Sequence, residues 1–479
     1  MSEPARLVRA CLLPSFPGFE PPDWVLRELE AGLGGITLFA YNVRDRSQLA
    51  DLTAGLRDGR DVLVAIDEEG GDVTRLEAAD GSSFPGALAL GVVDDPALTE
   101  AVAAAIAAEL AGAGVNLNLA PVADANTNPQ NPVIGVRSFG ADPELVARHV
   151  AAFVRGTQRQ RIAACAKHFP GHGDTAADSH LDLPTAGGSL DDALLPFRAA
   201  IAAGVRAVMT AHVLVPELDS VPATLSPRIL TTLLREELGF QGLVITDALE
   251  MRAISDGVGV EEAAVRALAA GADALCVGHD LHEEAVAAIV RAVAAAVAAG
   301  RLSLERLEEA AGRVRSTARW AATPRADGAP GREVGLEAAR LAVRVRGTPA
   351  VHADPLILEL VPQANIAAGV LAYGLADLWP GALGVQLGQD GDPRAALGPC
   401  AERPLVVVTR DAGRHDWQQR AVAELLAARP EAVVIETGLP GGVRAAIETH
   451  GAGRASLAAA REVLLGGRDR EHDAERVGP

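Results

Sequence analysis

Residues 167–184 read KHFPGHGDTAADSHLDLP, a stretch that holds one lysine, three histidines and three aspartates. Such a density of titratable groups directly after an apolar run is costly unless the groups are paired or used. Asp178 stands two residues before His180; a carboxylate at that spacing can hold an imidazole in one tautomer and raise its basicity, as a general acid/base requires. Ser179 lies in no GxSxG elbow, so a serine nucleophile has little support. His168, His172, Asp174 and His180 are of metal-ligating type, but their spacing matches no standard zinc pattern.

Three other segments bring chemistry to the ends of apolar runs. ITDALEM (245–251) delivers Asp247, which reads equally as a reactive carboxylate or as a helix N-cap, with Glu250 three residues on completing a capping box. AIDEEGGDVTRL (65–76) ends an apolar run in acid and glycine; Asp67 could accept two sugar hydroxyls, or belong to a solvated loop. IGVRSFG (134–140) offers Arg137, a surface charge or the holder of a carboxylate or ligand.

The elements that must position these groups alternate. Short apolar runs at 7–13, 35–39, 62–66, 115–119, 162–166, 207–210, 243–246 and 274–277 read as strands. Amphipathic stretches at 23–33, 96–111, 143–160, 190–203, 227–238, 260–270 and 281–299 read as helices, several opened by a cap or first-turn proline and closed by glycine. Continuous apolar strands separated by helices predict a parallel sheet covered on both faces. Eight of them predict a (β/α)8 TIM barrel, with chemistry at the C-terminal strand ends. Asp67, the segment 121–124, Lys167, His168, His212, Asp247 and His279 all fall there. A doubly wound open sheet is the alternative, but no GxGxxG follows the first strand.

The barrel is expected over 1–322 and a Pro/Gly/Arg/Asp-rich linker over 323–334. A smaller α/β sandwich over 335–467 has a helix at 335–345, strands at 355–361, 405–409 and 432–435 and a helix at 417–428, and a charged tail at 468–479 frays.

Of 479 residues 49% are hydrophobic and only 3% aromatic, which permits a large core and excludes global disorder. A net charge of -20 without a basic stripe argues against nucleic acid and anionic membranes as partners. Cys11, Cys165, Cys276 and Cys400 form no CxxC pair and read as buried thiols of a reducing compartment. No secretion signal or membrane-length apolar run is read, so a cytoplasmic protein is expected.

Together, the loop 167–184, the segment 65–76, the loop 134–140 and the strand end 245–251 resemble glycoside hydrolase family 3, in the family's order. The likeness is to its β-N-acetylglucosaminidase branch, which acts in peptidoglycan recycling. The resemblance implies that Asp247 is the nucleophile of a retaining mechanism and that His180, oriented by Asp178, is the acid/base. It implies sugar binding in the outermost subsite by Asp67, Arg75, Arg137, Lys167 and His168, with no cofactor and no metal. The 335–467 unit resembles the second domain of two-domain members. Three positions depart from the common pattern: Ala248 replaces a second Asp, Asp72 stands where Arg is frequent and Glu68 where Gln is frequent. They bear on subsite detail and substrate charge preference.

The expectation is an exo-acting enzyme, monomeric, with a small carbohydrate as its partner. It would remove terminal N-acetylglucosamine from muropeptide or chitooligosaccharide fragments. A phosphorylase, because a neutral base repels phosphate less than a carboxylate would, a β-glucosidase, a metal-dependent barrel hydrolase and a non-catalytic sugar-binding protein are the alternatives.

Overall fold

The computed structural model describes residues 2–278, 283–323, 328–364, 369, 371–398 and 402–466. The chain divides into two compact units. The first comprises Met1–Glu69, Pro96–Ile134 and Gly140–Gly331, the second Gly70–Asp95, Gly135–Phe139 and Arg332–Pro479. This division differs from a barrel running unbroken over 1–322, because the segment 70–95, which includes the helix Ala87–Val93, and the segment 135–139 pack with C-terminal sequence. Within the second unit Arg410 donates to Asp72 Oδ2 at 2.7 Å, and the Ala452 N–H donates to Asp72 Oδ1 at 2.7 Å. Asp72 is thus engaged by a guanidinium and a backbone amide.

The first unit is an α/β fold around a curled parallel sheet. Its strands are β1 (Leu12–Pro14), β2 (Gly35–Leu38), β3 (Leu63–Ile66), β4 (Leu117–Asn118), β5 (Ala163–Phe169), β6 (Ala207–Thr210), β7 (Leu243–Ile245) and β8 (Leu275–Val277). β2 to β7 lie side by side in sequence order, and β1 pairs with β8. Ile245 of β7 bridges to Ala274, just before β8. At the other edge Gly34 N–H donates to Arg9 O, and Thr37 Oγ1 donates to Leu13 O of β1.

Every strand residue here is buried, as apolar runs covered by helices require. Leu13, Leu63, Ala65, Leu117, Ala163, Cys165, Ala207, Met209, Leu243, Ile245 and Cys276 form one cluster, so strands from both ends of the sheet share a core. Alanine recurs in it because inward side chains converge in a curled sheet and space is short. Val314 and Ala318 of the helix Leu304–Ala321 pack on the same cluster.

Local chemistry sets the helix starts. Asp45, Asp142, Ser189 and Ser303 each accept a backbone N–H of the first turn. The predicted strand at 7–13 is corrected: a helix, Glu3–Arg9 with proline in its first turn, takes up the start of that run, and only Leu12–Pro14 is strand. Cys11, Cys165 and Cys276 are buried, whereas Cys400, His279 and the predicted tail at 468–479 lie outside the described residues.

The second unit carries β9 (Arg344–Val345), β10 (Leu356–Leu360), β11 (Leu383–Leu387), β12 (Leu405–Thr409), β13 (Val433–Glu436) and β14 (Ile447–Glu448). Their order is β11–β10–β12–β13–β14–β9, parallel except for β9. Period-two alternation gives the sheet two apolar faces. Leu356, Leu358, Leu405 and Val407 pack against Ala421, Val422 and Leu425 of the helix Asp416–Ala428. Ile357, Val406 and Ile435 pack against Leu457, Ala460 and Leu464 of the helix Arg454–Leu464. The sequence reading missed β9, β11, β14 and this last helix; β11 is largely exposed and β14 is only two residues long. Among the described residues no helix is long and apolar enough to cross a membrane.

Candidate active site

The groups singled out in the first unit stand at the C-terminal ends of its strands. Asp67 follows β3, Lys167 and His168 lie in the last turn of β5 before Phe169, His212 follows β6 and Asp247 follows β7. The register of β5 against β6 shifts between Ala166 and Phe169, so the strand changes course where Lys167 and His168 emerge.

Lys167 is buried, its side chain 2% exposed, and its ammonium is 2.6 Å from Asp67 Oδ1 and 2.7 Å from Glu69 Oε1. Two carboxylates around one buried ammonium offset its desolvation and leave a fixed polar cluster at the strand ends. His168 and His172 share one buried carboxylate. Asp124 lies 2.8 Å from His168 Nδ1 and accepts the His172 backbone N–H at 2.7 Å.

The loop after β5 is internally braced. His172 Nδ1 is 2.6 Å from Thr175 Oγ1, and its Nε2 is 3.1 Å from Ser179 Oγ. Asp174 accepts the backbone N–H groups of Gly187 and Gly188. Asp178 Oδ1 lies 2.7 Å from His180 Nδ1 and accepts the His180 backbone N–H at 2.9 Å. A carboxylate only accepts, so His180 Nδ1 carries a proton, and Nε2 is the ring nitrogen that Asp178 does not engage. Burial raises the Asp178 carboxyl, but its bonds with His180 outweigh this and hold it below the usual carboxylate range.

Asp247 is settled against the cap reading. The helix that follows starts only at Arg252 and is capped by Met251 without any side-chain bond. Asp247 Oδ1 accepts the Ala248 N–H at 2.8 Å, while Glu250 accepts the Gly278 N–H at 2.8 Å beside β8. The Asp247 side chain remains partly exposed. Burial pushes its carboxyl up, while His212, His168 and His180 act in the opposite direction and leave it below the usual carboxylate range. Burial holds the His212 ring below the usual imidazole range; it contacts Thr224 Oγ1 at 2.8 Å and the Ala248 carbonyl at 3.0 Å.

The structure therefore brings Asp247, His168, His180 and His212 within electrostatic reach, and pairs Asp67 with Lys167 and Asp178 with His180. Arg75 and Arg137 belong to the second unit. Sequence reasoning assigned no role to Glu69, Asp124 or His212; position past a strand end was the signal for each. Among the described residues no three His, Cys, Asp or Glu side chains group as metal ligands. His172, one of the metal-type residues, is spoken for by Thr175 and Ser179.

Asp247 and the carboxylate-held imidazole of His180 stand past the ends of parallel strands, where such folds keep their chemistry, and an imidazole here takes the place of the second carboxylate of the usual glycoside hydrolase pair. The chain belongs to glycosyl hydrolase family 3: the description "Glycosyl hydrolase family 3 N terminal domain" matches residues 25–317. A Beta-hexosaminidase of Stenotrophomonas maltophilia is 39% identical over 280 residues, 56% of this chain and 82% of that protein. Beta-hexosaminidase A of Pseudoalteromonas piscicida is 39% identical over 268 residues, 50% of this chain; the match spans 45% of that longer protein. The solved family 3 beta-N-acetylglucosaminidase from Paenibacillus sp. str. FPU-7 is similar with a TM-score of 0.86 and 34% identity, over 97% of both chains.

Proposed function

We propose that this chain is a retaining, exo-acting β-N-acetylglucosaminidase on a (β/α)8 barrel. The observation that carries the reading is the placement of Asp247 just past the end of β7 together with His180, whose ring and backbone N–H are both fixed by Asp178. In the first step an Asp247 oxygen attacks the anomeric carbon, the glycosidic C–O bond breaks and His180, entering as the imidazolium with a proton on each ring nitrogen, gives its Nε2 proton to the departing oxygen. In the second, water loses a proton to His180, attacks the same carbon and releases Asp247. An ionised carboxylate suits the first step.

Asp67, Lys167 and His168 are proposed to bind the terminal sugar. The Paenibacillus beta-N-acetylglucosaminidase named above, together with the hexosaminidases, supports terminal N-acetylglucosamine as the sugar removed. Muropeptide or chitooligosaccharide fragments, met in the cytoplasm during peptidoglycan recycling, are the proposed substrates. Incubation with a 5-fluoro N-acetylglucosaminyl fluoride followed by peptide mapping tests the mechanism. A label on Asp247 is expected; a label elsewhere, or turnover with inversion at the anomeric carbon, overturns it.

A further inference from the structure

We propose that His172 is a positioning residue for His180, and that Asp124 ties it to the sugar-facing His168; the inference rests on the glycosidase reading above. Asp124 Oδ2 meets His168 Nδ1 at 2.8 Å, and its Oδ1 takes the His172 N–H at 2.7 Å. Asn131 Nδ2 donates to the His172 carbonyl at 2.8 Å, so the His172 backbone is held on both sides. The Thr175 hydroxyl donates to that carbonyl at 3.0 Å. Thr175 Oγ1 then accepts from His172 Nδ1–H at 2.6 Å, which leaves Nε2 to accept the Ser179 hydroxyl at 3.1 Å. Burial, which outweighs the attraction of Asp124, holds the ring below the usual imidazole range and so in the neutral form this acceptor role needs.

Ser179 immediately precedes His180. The contacts therefore run without a gap from His168 through Asp124, His172 and Ser179 to the residue that moves the proton. A second staple, Asp174 to Gly187 and Gly188, closes the far limb of the same loop. Two staples confine the segment that carries His180, and a glycine-bearing loop without them samples many arrangements.

Proton donation matters in proportion to the basicity of the departing oxygen, so misplacing His180 has a signature that general loss of stability lacks. Ser179→Ala is expected to lower kcat/KM for 4-methoxyphenyl N-acetyl-β-glucosaminide by about 10-fold or more, and for the 2,4-dinitrophenyl glycoside by less than about 2-fold. Ser179→Thr keeps the hydroxyl and restores most of the loss. Asp124→Asn replaces one accepting oxygen with an amide nitrogen that cannot accept from His168 or His172, so it raises KM and shows the same leaving-group dependence. An equal loss with both glycosides, or full activity in Ser179→Ala, overturns the positioning role. His180→Ala is the control: if it shows no leaving-group dependence, the acid/base assignment itself falls, and this inference with it.

Discussion

Asp178 accepts from His180 twice, from the ring Nδ1–H at 2.7 Å and from the backbone N–H at 2.9 Å. The pair turns a two-residue spacing into a fixed tautomer. Asp178→Asn keeps the size but removes the charge that stabilises the imidazolium. It is expected to lower kcat by about 10- to 100-fold, the usual scale for a group that orients a reacting imidazole. Steady-state hydrolysis of p-nitrophenyl N-acetyl-β-glucosaminide measures this, and an unchanged kcat rejects the dyad.

Asp247→Ala removes the proposed nucleophile. Activity on the same substrate should fall by more than about 10³-fold, as for knockouts of residues that act as a covalent unit. Added azide should restore turnover and yield the α-glycosyl azide, since a small anion enters the space left by the carboxylate. Wild-type rates in Asp247→Ala would remove it from the mechanism.

Lys167 joins two carboxylates at a buried position. Lys167→Met leaves Asp67 and Glu69 facing each other without the ammonium. The cost is expected to be about 3–5 kcal/mol of stability, read as a lower urea midpoint, together with a raised KM. A midpoint unchanged within error contradicts the ion cluster.

Asp273 is a structural counterpart. Its buried carboxylate meets Arg235, Arg306 and Arg313 and accepts the Val244 N–H. Asp273→Ala strands three guanidinium groups and is expected to cost on the order of 3–5 kcal/mol. Thermal melting of the variant tests this, and catalysis by the remaining folded enzyme should be unaltered.

Buried imidazoles set the acid limit of stability. Burial and the nearby Arg344 push His450 down to about 4, and burial lowers His172 and His212 as well. Below pH 6.5 the unfolded chain binds protons that the folded chain refuses, so stability falls as pH drops from 6.5 towards 4. His450→Asn tolerates the left-handed φ of 57° and removes one such group. Its melting temperature should depend less on pH over that window than the wild type's; an equal slope in both proteins refutes the contribution.

Much of the first unit was legible because its strands are short runs apolar on every side. Strand 207–210 and helix 260–270 match their predicted bounds, and the other strand runs are trimmed or extended by a few residues except 7–13, whose start is helix and of which only Leu12 and Leu13 are strand. The departure of segments 70–95 and 135–139 to the second unit was not legible. Neither the glycine-rich turns nor the short apolar helix Ala87–Val93 names its packing partner locally, and Asp72 bonds with Arg410, 338 positions away. Asp72, a departure from the family pattern, is explained by that bond. Nor could local sequence separate the two readings of Asp247, since a capping box and a reactive strand end share the same letters.

The sequence by itself determined the alternation of strand and helix, the family, and which residues arrive at the strand ends, because periodicity and motif spacing are local properties. Tertiary structure alone decided their partners. It gave Lys167 its two carboxylates, made Asp124 the common acceptor of His168 and His172, and set Asp247 near imidazoles that lie far from it in the sequence. Pairing energies and pKa shifts depend on distance through space and on burial, and neither quantity is written in the separation of residues along the chain.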